Sequence, residues 1–315
     1  MTASNFPNGF ANGITVRGVP LQQAHPGEVF WVNSSTVLAK GGIGGSDGNK
    51  GTYQQPFATI TKALTACTAA RGDIIMVMPG YTEDVATAAG EVWNVEGVAI
   101  VGLGSGSLRP TISFTAAAAT QTITAANMTF ANIEWQANFA DVAIMLDVSA
   151  VDGLSFEGCH FTEAGTNLNY VIAVDLATGA DDISFNSCKW IGNDASNDSC
   201  INGVAHDGFY MDDCYLAFNT AQTAAVGLVA SSGNVTNALI RNCNFRSNVD
   251  GALWVDFNGA ANSGLIVDCN VSSLDTAGAQ NTLDFTGGHA FKCFVSGEAD
   301  AWGLEGGGTA VYNNA

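Results

Sequence analysis

Positive charge is the scarcest resource in this chain: 315 residues carry 10 lysines and arginines against 29 aspartates and glutamates, a formal net charge of −19. A protein so poor in cations has no basic surface to exchange for the counterions of a nucleic acid or an anionic membrane, so neither is expected as a partner. Long apolar runs are also missing. No stretch approaches the roughly 18 residues needed to span a bilayer as a helix. The start, MTASNFPNG, lacks the charged and then apolar pattern of a secretion signal, which predicts folding in a cytoplasm. Proline is sparse at 6 residues, and no Pro- or Ser-rich linker divides the chain. No C-x-x-C pair occurs among the 8 cysteines, so a zinc site is not expected and no cofactor is implied.

What is present is a repeat. Six of the eight cysteines stand in one phrase, read as LSFEGCHF, ISFNSCKW, FYMDDCYL, ALIRNCNF, GLIVDCNV and HAFKCFV, with successive spacings of 29, 26, 29, 26 and 24 residues. An earlier copy, MTFANIEW, puts Ile133 in the cysteine slot. A period in the twenties is that of a solenoid. Within the phrase, apolar residues alternate before the cysteine and again after it, which is strand periodicity. Just before the slot stand Asn132, Gly158, Ser187, Asp213, Asn242 and Asp268, types that tolerate a left-handed backbone; Lys292 breaks the series.

A third apolar run follows each phrase: AIMLDV, VIAVDL, INGVA, AVGLV, ALWVDF and NTLDF. Strand, bend, strand, loop and third strand, once per period, predict an all-β fold. It is a right-handed parallel β-helix, a single-stranded solenoid, with each side chain stacked on its equivalent one coil away. Ile133, Cys159, Cys188, Cys214, Cys243, Cys269 and Cys293 then form an inward structural column. Stacked cysteines about 4.8 Å apart fall within disulfide range, but their side chains run parallel. Buried free thiols are expected, ahead of a redox or metal site.

The division expected is an N-terminal arm over 1–28, an opening and cap region over 29–115, coils over 116–297 and a closing tail over 298–315. In the cap region Thr59 is a helix N-cap candidate, with Ile60, Ala63, Leu64 and Cys67 at helical spacing and Arg71-Gly72 as the stop. A short capping helix there would cover the open strand edge of the solenoid. The arm cannot form a core alone. Its apolar residues Phe6, Phe10, Ile14, Val16, Val19 and Leu21 are the candidate attachment residues, binding a partner as an added strand or as apolar anchors.

The stretches SDGNKGTYQQPFATITKAL, GDIIMVMPGYTEDV and VAIVGLGSGSLRPTI resemble the opening turns of pectate-lyase-like β-helix proteins. With FPNGFANGITVRGVPL ahead of FWVNS, they are most similar to β-helical virion proteins of tailed bacteriophages. The resemblance covers most of residues 1–115 and, more loosely, the repeats. It implies a virion protein, of capsid-decoration or head-fibre type, located on the capsid surface and made in the host cytoplasm. The phage major capsid protein would be its partner, and the chain would associate with itself as a homotrimer closed into a ring. A tail spike or tail fibre binding host-surface polysaccharide, with or without cleaving it, is the alternative. Trp135, Trp190, Trp254 and Trp302 are where its groove would be sought, although Trp135 and Trp190 fall in inward slots.

An enzymatic reading needs a paired acid–base site. Asp147, Asp175, Asp256 and Asp284 follow apolar residues in the third runs and are candidates for one column, but INGVA and AVGLV lack the acid. A solvated strand face is therefore expected, and no catalytic or metal residue is assigned. Lys189, Arg241, Arg246 and Lys292 are the only cations after Arg109, and His25, His160, His206 and His289 are read as structural or solvated. GLGSGS mimics part of a dinucleotide fingerprint, but RPTISF follows it where a helix would be required.

Overall fold

A computed structural model describes residues 14–16, 19–21, 27–34, 41–88, 90, 92–220, 227–247, 253–273, 283–296, 304–305 and 309–311. Among these, the strands form one eleven-stranded and two nine-stranded sheets, every pairing within them parallel and each from one coil to the next. One coil runs Thr129–Ala131 in the first sheet, Glu134–Ala137 in the second and Val142–Val148 in the third. The next coil repeats it at Ser155–Glu157, His160–Glu163 and Tyr170–Leu176. The register places Phe130 beside Phe156, Trp135 beside Phe161 and Val148 beside Leu176. The chain is a right-handed parallel β-helix.

The bend between first and second sheets is what the repeated phrase encodes. Asn132, Gly158, Ser187, Asp213, Asn242, Asp268 and Lys292 all have φ between 51° and 59°. Each turns the chain with one left-handed residue, and the first six send their N–H to the next coil, as from Asn132 to the Glu157 carbonyl at 2.8 Å. Lys292 breaks the sequence pattern but not the backbone pattern. A left-handed conformation costs a residue with a Cβ about 1 kcal/mol, so Lys292→Gly is expected to stabilise the chain by about that amount. Gly158→Ala should cost a similar amount through the backbone alone, since nothing lies within 4 Å of the added Cβ. Urea midpoints of the two variants, moving in opposite directions, check this.

The core is filled by ladders. Phe130, Phe156 and Phe185 stack with ring centroids 5.2 and 4.9 Å apart, and Trp135, Phe161 and Trp190 with 5.1 and 4.9 Å. Beside them runs the cysteine column, with Ile133 at its head; all eight cysteines are free, and Cys159 to Cys269 are buried while Cys293 is half-buried. Each thiol also donates. Cys159, Cys188 and Cys214 reach the carbonyls of Phe130, Phe156 and Phe185 in the preceding coil, each at 3.3 Å. A valine of similar size would fill the slot without serving a carbonyl beside the bend, where the ladder is interrupted.

At the N-terminal end the helix Ile60–Ala66 buries Ile60, Ala63 and Leu64 against strands Val29–Val32 and Ile74–Val77. Thr59 caps it, accepting from the Lys62 N–H at 3.1 Å. Asp47, from the glycine-rich loop, holds that cap by accepting from the N–H groups of Ala58 and Thr59, both at 3.0 Å. The expected stop at Arg71-Gly72 is corrected: the helix ends at Ala66, because Cys67 is already extended at φ −71° and ψ 153°. Arg71 instead forks onto Asp73, with two contacts of 2.7 Å.

In the arm, Ile14–Val16 pairs antiparallel with Val19–Leu21. The two segments expected to add to a partner thus pair with one another. Phe6 and Phe10 lie outside the described residues. In the tail, Leu304–Glu305 and Thr309–Val311 extend the third and first sheets.

Candidate functional site

The third sheet brings the candidate carboxylates together as a register column. Asp147 pairs with Asp175 and Asp175 with Asn202, while Ala230 pairs with Asp256 and Asp256 with Asp284. The two coils that lack the acid put Asn202 and Ala230 in its place. Asn202 Nδ2 donates to Asp175 Oδ1 at 2.8 Å. Asp147 is half-buried, and burial together with the neighbouring Asp175 pushes its carboxyl above the usual range. Asp256 corrects the expectation of a wholly solvated face, being 7 % exposed. Trp254, Val255 and Phe257 in the same strand are buried as well.

Chemically the column offers carboxylates and an amide, which can share a proton but bring no base of opposite charge. Among the described residues, no three histidine, cysteine, aspartate or glutamate side chains are arranged to hold a metal ion. Among the described residues the cations lie elsewhere. Arg71 is spent on Asp73, and Arg241 on Asp212 at 2.7 Å. Lys189 and Arg246 belong to the second sheet, and Lys292 occupies the last bend.

The histidines divide. His206 is 5 % exposed with Nδ1 3.1 Å from the Ala180 carbonyl, a structural placement, and burial lowers its pKa. His289 is exposed on the first sheet, whereas His25 lies outside the described residues. His160 projects from the second sheet between Glu134 and Lys189. For the tryptophans, Trp135 and Trp190 are buried as expected, and Trp254 is corrected from a groove candidate to a core residue at 2 % exposure. Trp254 packs on Phe245, 5.1 Å between centroids. Trp302 lies outside the described residues.

Sequence reasoning missed a polar corner where the second and third sheets meet. Glu163 accepts from Asn197 Nδ2 at 2.7 Å and from the Asn193 N–H at 2.8 Å, and burial raises its carboxyl to about 7. Buried Tyr170 and Cys200 stand behind it; burial and the neighbouring thiol push the Tyr170 hydroxyl well above its ordinary value. The loop IGNDASND is what closes this corner, and its variable composition carried no signal. The outward column of the second sheet was not singled out either, although its signal is simple: it is the residue after each cysteine slot.

Comparison with known proteins matches the fold. Residues 43–107 match the family described as "Protein of unknown function (DUF1565)". No curated protein matches. Among solved structures, a rhamnogalacturonan lyase is 11 % identical, with 88 % of this chain and 85 % of that chain covered at a TM-score of 0.52. The pectate lyase Pel9A is 13 % identical, covering 87 % and 78 % at 0.47. ORF18 of Geobacillus virus E2 is 14 % identical, covering 76 % and 58 % at 0.40. The fold shared with the rhamnogalacturonan lyase is the parallel β-helix. At such identities the likeness describes architecture and leaves chemistry to the residues above.

Proposed function

We propose that this chain is a structural, non-enzymatic virion protein of a tailed bacteriophage, a capsid decoration or head-fibre protein fixed by its N-terminal arm. The observation that carries the reading is the polarity of the rod. Val29–Val32 is the edge strand at one end of the eleven-stranded sheet and Thr309–Val311 the edge strand at the other. The arm over 1–28 therefore leaves from the helix-capped end. Anchoring there projects the coils outward by roughly 50 Å, ten strand spacings. The stacked rings and thiols give a rod whose stability is built from neighbour-to-neighbour contacts, suited to a rigid spacer. The partners in this reading are the major capsid protein and two further copies of the chain. Arms binding neighbouring shell subunits favour the assembled shell by mass action.

Mixing the protein with undecorated capsids of its phage tests this by co-sedimentation. The full chain is expected to pellet with the shells at saturating stoichiometry, and a variant lacking residues 1–28 to remain in the supernatant. Equal pelleting of both, or of neither when the intact protein is trimeric, overturns the attachment reading. In the second case, binding to host-surface glycans through a tail position becomes the reading to test.

A further inference from the structure

On the second sheet the residues that follow the cysteine slots stack as one outward column: Glu134, His160, Lys189, Tyr215, Asn244 and Asn270. Arg109, just before strand Thr111–Phe114, reaches across to this column, its Nη1 donating to the Gly158 carbonyl two residues before His160. Lys189 is the rung beyond His160, with Nζ 5.8 Å from the centroid of the Tyr215 ring. Among the described residues neither Arg109 nor Lys189 is paired with a carboxylate, unlike Arg71 and Arg241. Lys50, Lys62, Arg246 and Lys292 likewise carry no ion pair among the described residues, so what marks Arg109 and Lys189 is that they flank one histidine from two sides.

Glu134, the nearest acid in the column, accepts from the Thr162 hydroxyl at 2.7 Å. That bond draws its carboxylate toward the next outward row, away from the bend where Arg109 lies. The imidazole registers the resulting field: burial, then Arg109 and Lys189, hold His160 down to about 4. At neutral pH it is uncharged and offers one donor and one acceptor.

We propose that Arg109, His160 and Lys189 form a binding site for a tetrahedral dianion, sulfate or phosphate, on the outward face of the second sheet. A guanidinium supplies fixed donors for adjacent oxygens and an ammonium a point charge. Two cations without a carboxylate partner on a rigid sheet match a dianion, the neutral imidazole adds one donor, and the dianion offsets the field of the two cations at His160, so that its titration moves up. The phosphoryl group is either the free ion or an ester on a larger molecule such as a sugar. The site is independent of the arm and of capsid attachment, so it stands or falls separately.

Proton NMR of the four histidines tests it, with His160 assigned through His160→Gln. Sodium sulfate, dianionic throughout the titration, is expected to raise the His160 titration by about one pH unit or more, saturably, relative to sodium chloride at equal ionic strength, while His206 and His289 stay unmoved. At pH 7.5, inorganic phosphate and glucose 6-phosphate should each shift the His160 signal. Tighter binding of the ester identifies a phosphorylated saccharide as the ligand, and equal or weaker binding identifies the free ion. Lys189→Gln, which removes no hydrogen bond, is expected to weaken both at least tenfold, as is Arg109→Gln. No saturable shift with any of the three probes, or an unchanged response in Lys189→Gln, overturns the site.

Discussion

Replacing Phe156 by alanine is expected to cost about 3–5 kcal/mol, the largest loss from any single core truncation on the first sheet. The ring is fully buried and stacked on both sides, by Phe130 at 5.2 Å and Phe185 at 4.9 Å, and it also meets Trp135 and Phe161. In a solenoid the hole cannot be filled from outside the ladder, because each neighbour is held in register by its own strand. Stability rests on contacts between adjacent coils, so hydrogen-exchange protection should fall most in the coils on either side. Tyr210, on the outward side of the same sheet and 38 % exposed, is the comparison: Tyr210→Ala should change stability by no more than about 0.5 kcal/mol. Urea unfolding of the two variants is the check, and similar losses would contradict the ladder as the source of stability.

The second large effect is at Asp73, in the chain segment that ties the cap to the first coils. Its carboxylate is fully buried and accepts four contacts of 2.7 Å, from Arg71 Nε and Nη2 and from the N–H groups of Thr68 and Glu28. Burial alone would raise its pKa, but the Arg71 fork and the two N–H groups outweigh it and hold the carboxyl near 2, against an ordinary 3.8. Asp73→Ala strands those donors and should cost about 3 kcal/mol at pH 7. Because the folded value lies below the unfolded one, the ionised carboxylate stabilises the fold fully above pH 3.8, and that contribution is lost as the pH falls through 2. Unfolding of the wild type and the alanine variant at a series of pH values should therefore show a gap that narrows between pH 4 and pH 2. A gap that is constant over that range would contradict the assignment.

Phe156 was legible in the sequence and Asp73 was not. Phe156 belongs to a phrase in which periodicity two, one left-handed residue and a small apolar slot recur, and each of those is a local backbone demand. The bend at Ser187 or Asp268 was readable because few residue types tolerate φ near 52°. Lys292 shows that the coil imposes the bend even where the residue type disfavours it. Asp73 was not legible, because its partners come from Glu28 and Thr68 as well as Arg71, and only the folded chain brings them together. The same holds for Asp256 and Trp254: the burial of the first and the contact of the second with Phe245 depend on neighbours that alternation along one strand does not encode. At the polar corner, Glu163 meets Asn197 from a loop 34 residues on, and loop composition does not encode where a loop lands.

In the proposed function, the arm-bearing, helix-capped end of the rod meets the phage shell. Electron cryomicroscopy of capsids saturated with the full chain tests it most directly. Rods are expected to stand on the shell at regular lattice positions, with density for the helix Ile60–Ala66 at the shell and the coils near Phe291 outermost. Rods lying flat, or rods standing with the Phe291 coils against the shell, would contradict it.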